Sequence, residues 1–313
     1  MRMMAAVLGM ILMVSTAIAE GSETQAAGER HGATTVASAA VRDAQHHDAL
    51  RYTVWYPAQA GSRETALTLG PPDAPLFDVG RAAMDAPVVG DRLPTLLLSH
   101  GNGGSARMMG WLGTALARAG YLVIAVDHPG NNGADAMTLP GSVLTWLRAD
   151  DLRAALTAVQ ADPILGPHVD PERLGVVGFS AGGYTALLAA GAQPSLQRLL
   201  AFCTAHPDDG VCQPQQEAAT HTMQARRAAA ASPALAPWIA EADAQRAIPG
   251  VRAVRGSLRL PGGLYRCRRA EAARTVQHVG SQGENPPAGG GCSHAILRRR
   301  TALVAAGCGP ALQ

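Results

Sequence analysis

Short apolar runs alternate with helical periodicity between residues 94 and 191. The runs 95–99, 121–126 and 174–178 have the length and composition of strands that are buried on both faces of a parallel sheet. Between them, apolar residues recur at helical spacing, at Met108, Leu112, Ala115, Leu116 and Ala119, and again at Leu152, Ala155, Leu156 and Val159. This order predicts βαβ units, and hence an α/β fold with a mostly parallel central sheet flanked by helices.

The segments on either side of this core have weaker patterns. Residues 51–56 alternate as a half-buried strand does, and Pro57 ends the alternation. Residues 61–90 are rich in Pro, Gly and Asp, which predicts a long surface connection. Residues 20–47 are polar and rich in Ala and Gly, and we expect a flexible leader there. The main domain is therefore predicted to span 48–245, with a helical lid at about 213–245.

The N-terminus has the pattern of a secretory signal peptide over residues 1–19. Arg2 precedes an apolar run from Met3 to Thr16, and Ala17-Ile18-Ala19 matches an A-x-A cleavage site. The run is shorter than the about 20 apolar residues of a membrane span. We therefore expect an exported protein, periplasmic or secreted, that starts at Glu20 and keeps no stable membrane span.

Residues 246–313 form an atypical tail that is rich in Arg, Gly and Ala. All 26 basic residues of the 313-residue chain are arginines, and 11 of them lie in this tail beside only two acids, Glu271 and Glu284. The net charge of +2 therefore hides a basic end on an acidic body. Two interpretations stay open: a solvated basic arm, or a coding sequence that is read partly out of frame here.

The five cysteines are Cys203, Cys212, Cys267, Cys292 and Cys308. In an oxidising compartment Cys203 and Cys212 could close a ten-residue loop, and two buried free thiols are the alternative. None of the spacings matches a zinc site, and we predict no metal.

The motif Gly178-Phe179-Ser180-Ala181-Gly182 carries the strongest chemical signal. It fits G-x-S-x-G, with a buried strand before it and an Ala-rich helix after it. A serine on such a strand-to-helix turn presents its hydroxyl to the cleft, and the free N–H groups of the helix start face a developing oxyanion. This context predicts Ser180 as a catalytic nucleophile.

Two loops at the same edge of the sheet complete the predicted site. His100-Gly101-Asn102-Gly103-Gly104 directly follows a buried strand, so the backbone N–H of Asn102 can form an oxyanion hole with that of Ala181. Asp127-His128-Pro129-Gly130-Asn131 ends the next strand. His128 precedes Ser180, whereas the acid and base of this class follow the nucleophile, so we interpret His128 as a residue that fixes the loop.

Together these motifs resemble the exported dienelactone-hydrolase-like proteins, which are related to platelet-activating-factor acetylhydrolases. The resemblance covers about residues 50–245 and includes the segment from Cys203 to Cys212. It implies an α/β-hydrolase fold with an eight-stranded sheet, ester hydrolysis and no cofactor.

The family places an acid after the seventh strand and a histidine after the eighth. Residues 276–285 distantly resemble the first of these segments, which makes Glu284 the predicted acid and His294 the predicted base. Asp243 and His278 are the fallback acid and base.

The predicted function is hydrolysis of carboxylic esters through an acyl-enzyme on Ser180, with a small-molecule ester as substrate and no nucleic-acid partner. The alternative is a catalytically impaired remnant of a hydrolase fold, with an incomplete triad. The oligomeric state and the natural ester stay open.

Overall fold

A computed structural model of the chain describes residues 25–257, 266–267 and 276–278. The strands in this part of the chain are β1 (Ala26–Thr35), β2 (Ala49–Ala58), β3 (Thr65–Leu69), β4 (Phe77–Met84), β5 (Leu93–Ser99), β6 (Leu122–Val126), β7 (Val169–Phe179), β8 (Ala192–Gln193), β9 (Val251–Ser257), β10 (Arg266–Cys267) and β11 (Val276–His278). The helices are α1 (Ala39–Arg42), α2 (Gly110–Arg118), α3 (Leu139–Val143), α4 (Arg148–Ala161), α5 (Ala181–Ala189), α6 (Leu196–Ala205), α7 (Met223–Ala230) and α8 (Ala236–Ala240).

The main sheet has the order β11-β9-β7-β5-β6-β2-β1-β4-β3. Five neighbouring strands of this sheet, in the order β6, β5, β7, β9 and β11, pair in parallel. In contrast, β2 pairs antiparallel with both β1 and β6. The predicted mostly parallel sheet is confirmed. Because β5, β6 and β7 run in the same direction, the three loops that follow them meet at one edge of the sheet.

Helices cover both faces of the sheet, which explains why the central strands are continuously apolar. Leu96 and Leu98 pack in one cluster with Ala117 of α2, whereas Leu97 packs in another with Leu152 of α4. Successive side chains of a strand point to opposite faces, so a strand covered on both sides has no solvent-facing positions. The predicted strands and the predicted helices α2 and α4 are all present.

The prediction of a flexible leader over 20–47 is wrong from Ala26 onward, because Ala26–Thr35 is a ten-residue strand paired with β2. Its glycines hide the strand pattern. Gly28 lies opposite Tyr56, and a Cβ at Gly28 would overlap the Tyr56 ring. Glu29 on β1 is buried and accepts a hydrogen bond of 2.8 Å from Trp55 Nε1. Small residues thus make room for large partners across the pair.

Two further boundaries differ from the prediction. Residues 61–90 are not a plain connection, because β3 and β4 form an antiparallel pair within them. The tail also begins later than residue 246: β9 lies beside β7 in parallel register, with Val251 and Val254 buried. The strand was missed because exposed Arg252 and half-buried Arg255 interrupt its apolar residues. The predicted domain of 48–245 is therefore too short at both ends.

The segment between α5 and β9 contains the predicted helices, α7 and α8, which pack with α3 and α4 around Leu144, Trp146, Leu147 and Leu235. Cys203 and Cys212 form a disulfide, with their Cα atoms 5.4 Å apart. The disulfide decides between the two alternatives for these thiols. Whether 213–245 acts as a lid stays a prediction. No helix in the described part of the chain has the length and apolar character needed to cross a membrane.

Candidate active site

Ser180 occupies a strained turn between β7 and α5. Its φ is 51° and its ψ is −119°, a backbone conformation that a residue with a side chain rarely adopts. Both flanking glycines are required by the close packing of this turn: a Cβ at Gly178 would overlap the carbonyl oxygen of Gly182, and a Cβ at Gly182 would overlap that of Ser99. The turn leaves Ser180 exposed at the edge of the sheet.

The glycine loop (residues 100–104) lies directly beside Ser180. A Cβ placed on Gly101 would be 3.4 Å from the Cβ of Ser180 and 3.2 Å from Cδ1 of Phe179. Within the described residues, neither the Asn102 N–H nor the Ala181 N–H has an acceptor. Free backbone donors on both sides of a serine are what an oxyanion hole requires.

Asn131 ties the glycine loop to the end of β6. Its Oδ1 accepts a hydrogen bond of 3.3 Å from the Gly103 N–H, and its Nδ2 donates one of 2.9 Å to Asn102 Oδ1. Asn131 is 1% exposed, so these bonds are shielded from water. Asp127, at the start of the same turn, accepts a bond of 2.8 Å from the Ala106 N–H. The loop is thus held from one side by fixed polar side chains.

A fully buried relay of side chains lies beneath these loops. Arg42 donates two hydrogen bonds, of 2.7 and 2.9 Å, to the two carboxylate oxygens of Asp151. The same Asp151 lies 2.9 Å from Nδ1 of His128, whose Nε2 lies 2.9 Å from Ser99 Oγ. The geometry is that of a Ser–His–Asp chain, but Ser99, His128 and Asp151 are each 0% exposed, so no substrate reaches Ser99. Both ring nitrogens of His128 are thus bonded within the interior, as expected for a residue that fixes the loop.

Arg148, at the start of α4, is the second guanidinium of this region and is 1% exposed. It donates to Ser99 Oγ at 3.3 Å, to Asn131 Oδ1 at 3.2 Å and to the carbonyl oxygen of His100. Its Nε is buried and has no hydrogen-bond partner in the part of the chain that the structure describes. Arg148 therefore joins the buried relay to the glycine loop.

Burial and charge shift the pKa values of these groups in a consistent direction. Burial, helped by the Arg148 charge, lowers the pKa of His128 to about 3, and burial likewise holds the pKa of His100 well below its usual value. Burial raises the pKa of Asp151, but the Arg42 guanidinium and the His128 hydrogen bond outweigh it and lower that pKa overall. Burial also lowers the pKa of Arg148, to about 9. At neutral pH the buried region below the glycine loop thus holds two cations (Arg42 and Arg148), one anion (Asp151) and two neutral imidazoles (His100 and His128).

The neutral imidazoles predict a pH dependence of stability. The pKa of His128 falls from 6.5 to about 3 on folding, so between these values the unfolded chain binds the proton more tightly. We expect the free energy of unfolding to be highest above about pH 6.5 and to decrease as the pH falls towards about 3. Urea unfolding at several pH values measures this. His128→Asn, which cannot take up the proton, should flatten the dependence; an equally steep dependence in that variant would contradict the assignment to His128.

The predicted site residues divide into two groups. Ser180, Ala181 and Asn102 lie together at the sheet edge, as described above. Glu284 and His294 lie outside the described residues and remain predictions. The fallback Asp243 is exposed and accepts a hydrogen bond of 2.8 Å from the Leu196 N–H at the start of α6, and for the fallback His278 only the backbone, in β11, is described.

In the described part of the chain, no three His, Cys, Asp or Glu side chains are grouped so that they could hold a metal ion. Arg42, Arg148 and Asp151 were not singled out as site residues from the sequence. Charged residues at a helix start are usually solvated, and no spacing signal links Arg42 to Asp151 across 109 residues.

Known proteins are similar to parts of this chain. Lipase 1 of Moraxella sp. (strain TA144) is 34% identical over 96 residues, which are 31% of this chain and 27% of that lipase. Among solved structures, a ferulic acid esterase from Streptomyces cinnamoneus has 26% identity and a TM-score of 0.42, over 54% of this chain and 56% of that one. An acylaminoacyl peptidase from Pyrococcus horikoshii has 16% identity and a TM-score of 0.34, over 54% and 21%.

The chain thus spans about a quarter of the lipase and about half of the esterase. A family model described as alpha/beta hydrolase fold matches residues 94–244. These residues include the glycine loop, the buried relay from Ser99 onward and the turn at Ser180. The chain therefore has the alpha/beta hydrolase fold.

Proposed function

We propose that this protein is a dienelactone-hydrolase-like serine hydrolase that cleaves carboxylic esters through an acyl-enzyme on Ser180. The observation that carries the proposal is the strained backbone of Ser180 at the turn from β7 to α5, beside two backbone N–H groups that have no acceptor in the described part of the chain. Backbone strain of this kind is costly, about 1–3 kcal/mol, and is typical of functional sites.

The chemistry follows from this geometry. The Ser180 oxygen attacks the ester carbonyl while a base takes its proton, and the carbonyl oxygen becomes an oxyanion. Hydrogen bonds from the Asn102 and Ala181 N–H groups stabilise that oxyanion, each by about 3–4 kcal/mol. The alcohol leaves with the proton from the base, and water releases the acyl group by the same route. His294 as base and Glu284 as its acid are the proposed remaining members of the triad.

The surface beside Ser180 favours an apolar group on the substrate. Phe179 is 55% exposed, and its ring lies against Gly101 of the glycine loop. An exposed aromatic ring at the nucleophile offers contact area to an alkyl or aryl part of the ester. We therefore propose small esters with an apolar acyl or alcohol part as the substrate class.

The function is tested with the full-length purified protein. We expect it to hydrolyse short p-nitrophenyl esters and to be labelled by a fluorophosphonate probe, with the adduct on the peptide that contains Ser180. A folded protein that neither hydrolyses these esters nor takes up the probe would support the alternative of an impaired hydrolase-fold remnant. Labelling at another serine would contradict the assignment of the nucleophile.

We also propose that the protein is exported and cleaved after Ala19. The support is the pattern of Arg2, the apolar run and the A-x-A site in residues 1–19. The disulfide between Cys203 and Cys212 agrees with an oxidising compartment. Intact-mass analysis of the protein from the extracytoplasmic fraction should give a chain that starts at Glu20, whereas a chain that still starts at Met1 would contradict cleavage.

A further inference from the structure

The burial of the Arg148 guanidinium is unfavourable for the stability of the fold. This guanidinium is 1% exposed, yet it forms no ion pair with a carboxylate of the described residues. The one carboxylate of the buried relay, Asp151, is already bound on both oxygens by Arg42. The three buried charged groups Arg42, Arg148 and Asp151 therefore carry a net charge of +1 below the glycine loop. Burial of an unpaired charge destabilises a fold, so the residue needs another explanation.

The acceptors of Arg148 supply that explanation. The carbonyl oxygen of His100 accepts from Nη2, and this carbonyl belongs to the peptide unit that enters Gly101. Since C=O and N–H point in opposite directions across a trans peptide, fixing the His100 carbonyl also fixes the direction of the Gly101 N–H. The guanidinium therefore sets the orientation of the first peptide of the loop that lies against Ser180.

The second contact reaches, through Asn131, the side chain of Asn102, whose backbone N–H is the proposed oxyanion donor. Arg148 Nη1 donates to Asn131 Oδ1, and this Asn131 accepts from the Gly103 N–H and donates to Asn102 Oδ1. With its oxygen held by a cation, the Asn131 amide has one orientation, with its Nδ2 directed to Asn102. Arg148 thus fixes the glycine loop before Asn102, at the His100–Gly101 peptide, and after it, at the Asn102–Gly103 peptide.

We propose that Arg148 is a positioning residue for ester hydrolysis: it holds the glycine loop so that the Asn102 N–H faces the oxyanion formed on Ser180. The inference rests on the proposed function, and it names a residue that does not touch the substrate. Because Arg148 has no carboxylate partner among the residues that the structure describes, its removal leaves neutral acceptors behind. Ser99 keeps its bond to His128, and Asn131 keeps its bond from the Gly103 N–H.

The test is Arg148→Met, which keeps the length and apolar stem of the side chain. We expect kcat for p-nitrophenyl butyrate to fall about 100-fold, the loss that follows when a reacting geometry shifts by about 1 Å, with KM nearly unchanged. Phenylboronic acid, whose boron takes up the Ser180 oxygen as a tetrahedral anion, should lose affinity by a similar factor. The melting temperature should stay close to that of the parent protein, because the relieved charge and the lost hydrogen bond to the His100 carbonyl oppose each other.

Arg153→Met is the matched control, because Arg153 lies on the same helix but pairs with Asp150 near the surface; its kcat should equal that of the parent. Asn131→Ala removes the second link, and it should show the same selective loss of kcat. The proposal is overturned if Arg148→Met keeps kcat within about threefold of the parent. It is also overturned if Arg148→Met loses cooperative unfolding, or if Asn131→Ala keeps full kcat. An inactive, unlabelled parent protein would instead refute the proposed function.

Discussion

Replacement of Ser180 by alanine is expected to abolish both ester hydrolysis and labelling by a fluorophosphonate. The substitution removes the only atom of the residue that can form the acyl-enzyme, while the backbone at φ 51° is held by Gly178 and Gly182 on either side. Loss of the nucleophile from a complete serine triad lowers kcat by about 10⁶-fold. The residual rate should therefore be no more than what the oxyanion hole and substrate binding supply without a nucleophile.

The comparison is made on p-nitrophenyl esters and on the labelled protein after digestion. Ser62→Ala is the control, because Ser62 lies in the loop before β3 and should behave as the parent protein does. Alanine is small and adds no atoms at the turn, so the melting temperature of Ser180→Ala should stay close to that of the parent. Hydrolysis or labelling that persists in Ser180→Ala would mean that a different group is the nucleophile.

Replacement of Arg42 by methionine is expected to destabilise the protein by about 3–5 kcal/mol, which is the usual cost of removing one partner from a buried ion pair. Asp151 is 0% exposed and receives two hydrogen bonds from this guanidinium. Without Arg42, the Asp151 carboxylate stays buried beside His128, and the more distant Arg148 is the cation that remains. Since small domains have a free energy of unfolding of about 5–15 kcal/mol, the loss is large.

Urea unfolding at neutral pH measures this effect. Arg30→Met is the control, because Arg30 pairs with the exposed Asp85 at 3.6 Å and such pairs contribute about 0–1 kcal/mol. An unfolding midpoint of Arg42→Met equal to that of the control would contradict the assigned role of the buried pair.

Arg42 and Arg148 therefore have opposite expected effects on stability and activity. Arg42 has a carboxylate partner, so its loss leaves an uncompensated charge and lowers stability. Arg148 has neutral acceptors, so its loss relieves an excess of charge and is expected to lower activity alone. Activity at the expense of stability is a recurrent property of functional sites.

The pattern of apolar residues predicted the part of the fold that surrounds Ser180. The runs at 95–99, 121–126 and 174–178 became β5, β6 and β7, and the G-x-S-x-G motif became the turn between β7 and α5. These elements were predictable because a strand covered on both faces has no polar positions, and because a strained turn next to a close-packed helix admits only small flanking residues.

The edges of the sheet were not predictable in the same way. In β1, Gly28 and Gly32 replace the apolar residues that a strand usually shows, because the rings of Tyr56 and Tyr52 fill their places from β2. Among residues 251–256 of β9, only Val251 and Val254 are buried. The side chains that stabilise such an edge strand belong to the strand beside it, so the residue pattern of the edge strand alone does not reveal them.

The sequence by itself determined the α/β architecture, the position of Ser180 on a turn and the glycine loop that contains Asn102, because each depends on neighbours within about ten residues. Only the tertiary structure decided that Arg42, Ser99, His128, Arg148 and Asp151 form one buried relay. The energy of a buried charge depends on the partners that surround it in space. Those partners come from four separate segments of the chain, which only folding brings together.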